Sequence, residues 1–116
     1  MELVQYIIVN TSLGMNKGKI AAQVAHAAVS VLDKVDNDTA EEWKRSGMKK
    51  IVLKISSTEE LIALFEKAKK RAPCALIMDA GRTQIEAGSK TCFACGPIEE
   101  EEGSKIFHDL KLLWEK

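Results

Sequence analysis

The apolar run Cys74-Ala75-Leu76-Ile77-Met78 contains no polar residue and ends on Asp79-Ala80-Gly81. A short unbroken apolar run bounded by turn residues reads as a buried strand. Such a strand hands an ionisable carboxylate to a glycine-containing turn. In open α/β sheets ligands bind just past the carboxyl ends of strands, so chemistry is expected at Asp79. Ionised aspartate is seldom fully buried unless paired. At a strand's end it either caps the following turn or belongs to a site, and position alone supports both readings.

The rest of the chain alternates strands with helices. Residues 2–9 read as a strand and 17–34 as a long, Ala-rich helix. Asp38 or Thr39 is expected to cap a short helix through Ser46, ended by Gly47. A strand over 49–55 follows, then a helix starting at Ser57 or Thr58, with Glu60 nearby, that runs to Arg71 before Pro73. Strands are expected over 74–79 and over 91–96, the latter closed by Gly96-Pro97, then an acidic turn, a short helix near 103–108 and an extended piece over 110–113. Alternation of this kind implies a sheet covered on both faces. The 79–91 connection holds no helix, so its strands should pair antiparallel. The expectation is one α/β domain over 1–116, a mixed sheet of about four strands sandwiched between α-helical layers.

Composition is ordinary for a globular protein, 46% hydrophobic and 29% charged over 116 residues. No apolar run approaches the roughly 20 residues of a membrane helix. The N-terminus shows a strand-like segment without a basic n-region or cleavage site, so a cytoplasmic location is expected. Net charge is zero, with 17 basic and 17 acidic residues, which argues against a protein that coats nucleic acid. A local basic patch remains open, because distribution decides docking. Glu99 to Glu102 gather much negative charge in one place. Three cysteines cannot close a disulfide framework. Cys92 and Cys95 have CxxC spacing, yet there is no second pair, and on a strand residues three apart face opposite ways. Buried reduced cysteines are the better reading.

Two polar sets invite chemistry. On the first helix Ile20, Val24, Ala27 and Val31 form one stripe, and Lys19, Gln23, His26 and Ser30 a neighbouring one. The second stripe is either a cleft wall or a solvated face. Lys19 lies off the apolar stripe, so its truncation should leave folding intact. The Gly14-to-Lys19 loop departs from a Walker A motif, with three residues between its glycines and Ile20 after Lys19. It can still receive an anion on free backbone N–H groups, aided by Lys17 and Lys19. Thr83 and Thr91 offer hydroxyls near Asp79. No G-x-S-x-G is present, and His108 lies in an exposed segment, so a hydrolase here would use an activated water.

The segments Gly14 to Ala28, Asp79 to Ile85 and Leu110 to Leu113, with Gly96-Pro97, resemble the type 2 peptidyl-tRNA hydrolases of archaea and eukaryotes. The likeness spans nearly the whole chain in order and spacing. It implies hydrolysis of the ester between a peptide and the 3′ ribose of tRNA, often by a homodimer; no His, Cys or carboxylate cluster suggests a metal, and no cofactor is expected. The implied catalytic positions are Lys19, Gln23, Asp79, Thr83 and Thr91, with His26 a further candidate. Lys17, Arg82, Lys90, Lys105 and Lys111 are expected to meet tRNA phosphates. A non-catalytic module gripping tRNA or protein is the alternative. Asn16, Ala87, Ser89 and the Trp114-Glu115-Lys116 tail depart from the usual pattern.

Overall fold

The computed structural model describes residues 2–80 and 88–114. Its elements run β1 (Leu3–Asn10), α1 (Lys17–Ser30), α2 (Asn37–Arg45), β2 (Lys50–Ile55), α3 (Thr58–Ala68), β3 (Cys74–Met78), β4 (Lys90–Glu99), α4 (Glu100–Phe107) and β5 (Lys111–Leu112). The sheet order is β3-β4-β1-β2-β5. β1 and β2 are parallel, and the other neighbours are antiparallel, so the sheet is mixed as expected.

β1 is central and buried from Val4 to Asn10. Its alternate side chains feed two cores, as the period of a strand requires. Val4, Tyr6 and Ile8 join Leu61, Ile106 and Phe107 of α3 and α4. Ile7 and Val9 join Ala27 and Ala28 of α1 on the other face. Cys92 lies in the α1-side core and Cys95 in the other, and the three cysteines are buried and free.

Several boundaries differ from expectation. The sheet has five strands rather than about four, because Leu53 pairs with Leu112 and Lys54 with Lys111. Two residues are too few to show a period in sequence. The first helix is α-helical only to Ser30, and Val31–Lys34 tightens into a 3-10 turn, a common helix ending. Asp36 caps α2, accepting from Thr39 N at 3.0 Å and Thr39 Oγ1 at 2.8 Å, so Thr39 is its partner rather than the cap. Of the two candidates Ser57 and Thr58, Ser57 caps α3, accepting from Glu60 N at 3.1 Å. α4 begins earlier than expected, at Glu100, because acidic residues suit the positive end of a helix. β4 continues through Gly96-Pro97, a cis peptide, since β1 shifts register between Val4 and Tyr6 to follow it. Gly96 has φ 97°, and a Cβ there would meet Val4 O at 2.9 Å.

Candidate active site

The site begins at the first turn of α1. Asn16 caps that helix, its Oδ1 accepting from Lys19 N at 2.8 Å. The first turn of α1 carries no acid, whereas α2, α3 and α4 hold Asp38, Glu59 and Glu60, and Glu100 to Glu102 there. The positive end of the helix dipole is therefore reinforced by Lys17 and Lys19 instead of being neutralised locally. The compensating charge comes from 60 residues away: Lys19 Nζ forms an ion pair with Asp79 Oδ1 at the carboxyl end of β3.

Both side chains of this pair are buried, 7% and 3% exposed. The other lysine and arginine ion pairs among the described residues are solvent-accessible. Backbone bonds from Asp79 N to Ser89 O and from Gly88 N to Asp79 O, each 2.8 Å, hold the aspartate on the sheet. Lys19 lies off the apolar stripe but is buried and paired, so its truncation is expected to cost stability as well as activity. A helical stripe shows where a side chain starts, but a lysine's length lets its ammonium reach a partner on a neighbouring strand.

Gln23, one turn along α1, meets the first residues of β4. Thr91 Oγ1 donates to Gln23 Oε1 at 2.7 Å, and Cys92 Sγ lies 3.5 Å from Gln23 O. Burial pushes the Cys92 thiol up to about 11, which keeps it protonated and inert. The polar stripe is thus split. Lys19 and Gln23 turn inward to β3 and β4, and His26 is exposed two turns further on, which the structure does not bring to the ion pair.

Asn10 was missed in the sequence. It is fully buried at the end of β1. Its Nδ2 donates to Thr58 Oγ1 at 2.9 Å and Lys90 O at 3.0 Å, and its Oδ1 accepts from Ser12 N at 3.1 Å and Ser12 Oγ at 2.6 Å. It therefore fixes the start of β4 and with it Thr91. The signal that singled out Asp79, a polar residue closing an apolar strand, is present in Ile7-Ile8-Val9-Asn10 as well.

The expected tRNA contacts scatter more widely. Lys17 is exposed at the start of α1, with Nζ 5.9 Å from the Trp114 ring centroid. Lys90 opens β4 beside Thr91, opposite Met78. Lys111 lies on the edge strand β5. Lys105 sits on α4, which packs on the face opposite α1, and pairs with Glu101 at 3.8 Å. Arg82 and Thr83 lie outside the described residues, as does Ala87. Among the described residues no three His, Cys, Asp or Glu side chains come together as metal ligands, and no helix is long and apolar enough to cross a membrane.

Fold and site together define an α/β protein with a buried lysine–aspartate pair at the carboxyl end of a strand and a hydrogen-bonded threonine and glutamine beside it. The chain belongs to the peptidyl-tRNA hydrolase PTH2 family, whose model matches residues 3–113. It is 43% identical over 113 residues to the peptidyl-tRNA hydrolase of Methanococcus maripaludis strain C7, covering 94% of this chain and 97% of the relative. The peptidyl-tRNA hydrolase of Methanopyrus kandleri strain AV19 is 46% identical over 112 residues, with 94% and 97% covered. That of Sulfolobus acidocaldarius is 48% identical over 116 residues, with 92% and 97% covered.

Proposed function

We propose that this protein is a peptidyl-tRNA hydrolase that releases free tRNA and peptide by hydrolysing the ester at the 3′ ribose. The observation that carries this reading is the buried Lys19–Asp79 pair in a chain of the PTH2 family. Water attacks the ester carbonyl carbon, and negative charge develops on its oxygen. A fixed cation near that oxygen stabilises the transition state, and Lys19 supplies it. Asp79 holds the ammonium in place and accepts the proton of the attacking water. The carbonyl–O3′ bond then breaks, and the proton passes to the leaving 3′ oxygen. No covalent intermediate forms.

Gln23 and Thr91 orient the substrate. Because Gln23 Oε1 accepts from Thr91, its amide nitrogen is the group left to donate. Thr83 is assigned to the same role on the strength of the resemblance, and His26 to the outer margin of the site. Lys17, Lys90, Lys111 and Arg82 meet phosphates near the acceptor end, positioning tRNA without reading its sequence. Lys105 is the weakest member of that set, being on the far face. Cytoplasmic action and a homodimer complete the reading, the latter tested by sedimentation.

The deciding experiment incubates peptidyl-tRNA with a substoichiometric amount of protein and follows release of free tRNA. Multiple turnovers are expected. Binding without turnover would favour the non-catalytic module.

A further inference from the structure

A cleft of about 290 Å³ opens beside the first turn of α1, lined by Asn10, Thr11, Met15, Lys54 and Trp114 among others. It shares Thr11 and Lys54 with a neighbouring depression that reaches Lys111. Lys54 and Lys111 are direct partners across the antiparallel β2–β5 pair. Like charges directly opposite one another destabilise a sheet. Neither lysine forms an ion pair among the described residues, and both are exposed. Lys17 adds a third cation on the α1 side, over one face of Trp114. Trp114 itself is 61% exposed. A groove that combines unpaired cations with an exposed aromatic ring is suited to single-stranded nucleic acid, whose phosphates follow the charge while a base stacks on the ring.

We propose that this trough guides the single-stranded 3′ end of the tRNA, with a base stacked on Trp114 and backbone phosphates at Lys54 and Lys111. The inference rests on the hydrolase reading, since it supplies the path by which the ester reaches Lys19. The trough lies along β2 and β5, whereas Asp79 follows β3 on the opposite edge of the sheet, three to four strand positions or roughly 14–19 Å away at about 4.8 Å per strand. A strand that turns around the N-terminus of α1 therefore passes from one to the other within a few nucleotides, along the most positive end of the helix. Glu60 and Asp109 line the far part of the Lys111 depression, Glu60 accepting from the Ser56 and Ser57 hydroxyls and Asp109 lying 3.2 Å from His108, so the phosphates follow the side of Lys54 and Lys17, away from these acids.

The test has two arms on the full-length protein. Trp43 is buried, so tryptophan quenching reports chiefly on Trp114, with W114F as the baseline. Quenching is expected with intact deacylated tRNA and is expected to vanish with tRNA trimmed of its single-stranded 3′ nucleotides. In steady-state hydrolysis W114A should raise KM on the order of 10-fold with little change in kcat. K54A should reduce the slope of log affinity against log salt by about 0.7, one single-strand phosphate contact. Equal quenching by trimmed and intact tRNA, or unchanged KM and salt slope in both variants, would overturn the proposal and leave the hydrolase reading standing. Absence of turnover in the wild type would sink that reading, while the quenching arm would still decide the path. A Trp114 signal that depends on protein concentration without RNA would make the face an interface between copies, against the proposal.

Discussion

Thr91 Oγ1 lies 2.7 Å from Gln23 Oε1, joining the start of β4 to the second turn of α1. The bond sets which end of the Gln23 amide faces away from the sheet. Thr91→Val keeps the shape of the side chain and removes the donor, so the amide is free to turn over. Loss of one such bond is worth about 1 kcal/mol, which corresponds to a fall of roughly fivefold to tenfold in kcat. Thr91→Ser should restore most of the rate. Equal kinetics for the Val and Ser variants would show that the hydroxyl does not position Gln23.

The ion pair predicts a combined loss of activity and stability. Lys19→Met or Asp79→Asn should reduce kcat on the order of 10²-fold or more. Each substitution also leaves a buried charge without that partner, at a cost of about 3–5 kcal/mol. The double variant removes both charges and should unfold at higher urea than either single one while remaining inactive. Strictly additive losses of stability would contradict the pairing.

Gly103 predicts a purely structural effect. A Cβ at this position of α4 would come within 2.0 Å of the Tyr6 ring, on the central strand. Gly103→Ala should lower stability by about 1–3 kcal/mol, the usual cost of overpacking. Because α4 lies on the face opposite α1, the folded fraction should keep its turnover. A Tm equal to that of the wild type would show that α4 shifts freely over Tyr6.

Burial raises the Cys92 thiol from 9.0 to about 11. Cys95 is also pushed up, by its bond with the Cys74 thiol and by burial. The native state therefore keeps protons that the unfolded chain releases. Their stabilising effect is complete below pH 9 and declines as the pH rises from 9 through about 11. Urea midpoints measured over that range should fall, and Cys92→Ala should flatten part of the decline while Cys95 retains the remainder.

Asp79 was legible because an acid at the end of an apolar strand breaks the expected pattern of a core. Lys19 was legible as a residue while its burial stayed open between a cleft wall and a solvated face, since periodicity follows Cα positions and not the reach of a long side chain. Asn10 obeyed the same rule as Asp79 but has no charge to draw notice, and it ties together segments 48 and 80 residues apart. Lys54 was hidden because its importance depends on which residue faces it across β5, a pairing of two residues only. The start of α3 was placed to within one residue, at Ser57 or Thr58, and Ser57 is the cap. Where several acidic or hydroxyl residues competed, as at 36–39 and 99–103, the boundary moved.

The placement of β1 has a consequence for synthesis. Val9 pairs with Cys92, a residue made 83 positions later. At about 5–20 residues per second, translation leaves one side of the central strand open for roughly 4 to 17 s. During that interval an apolar edge is available to any other nascent chain. The parallel partner β2 arrives sooner and can shield the other side. The newborn protein thus passes through a half-built sheet that depends on rapid completion, or on a chaperone, to escape aggregation.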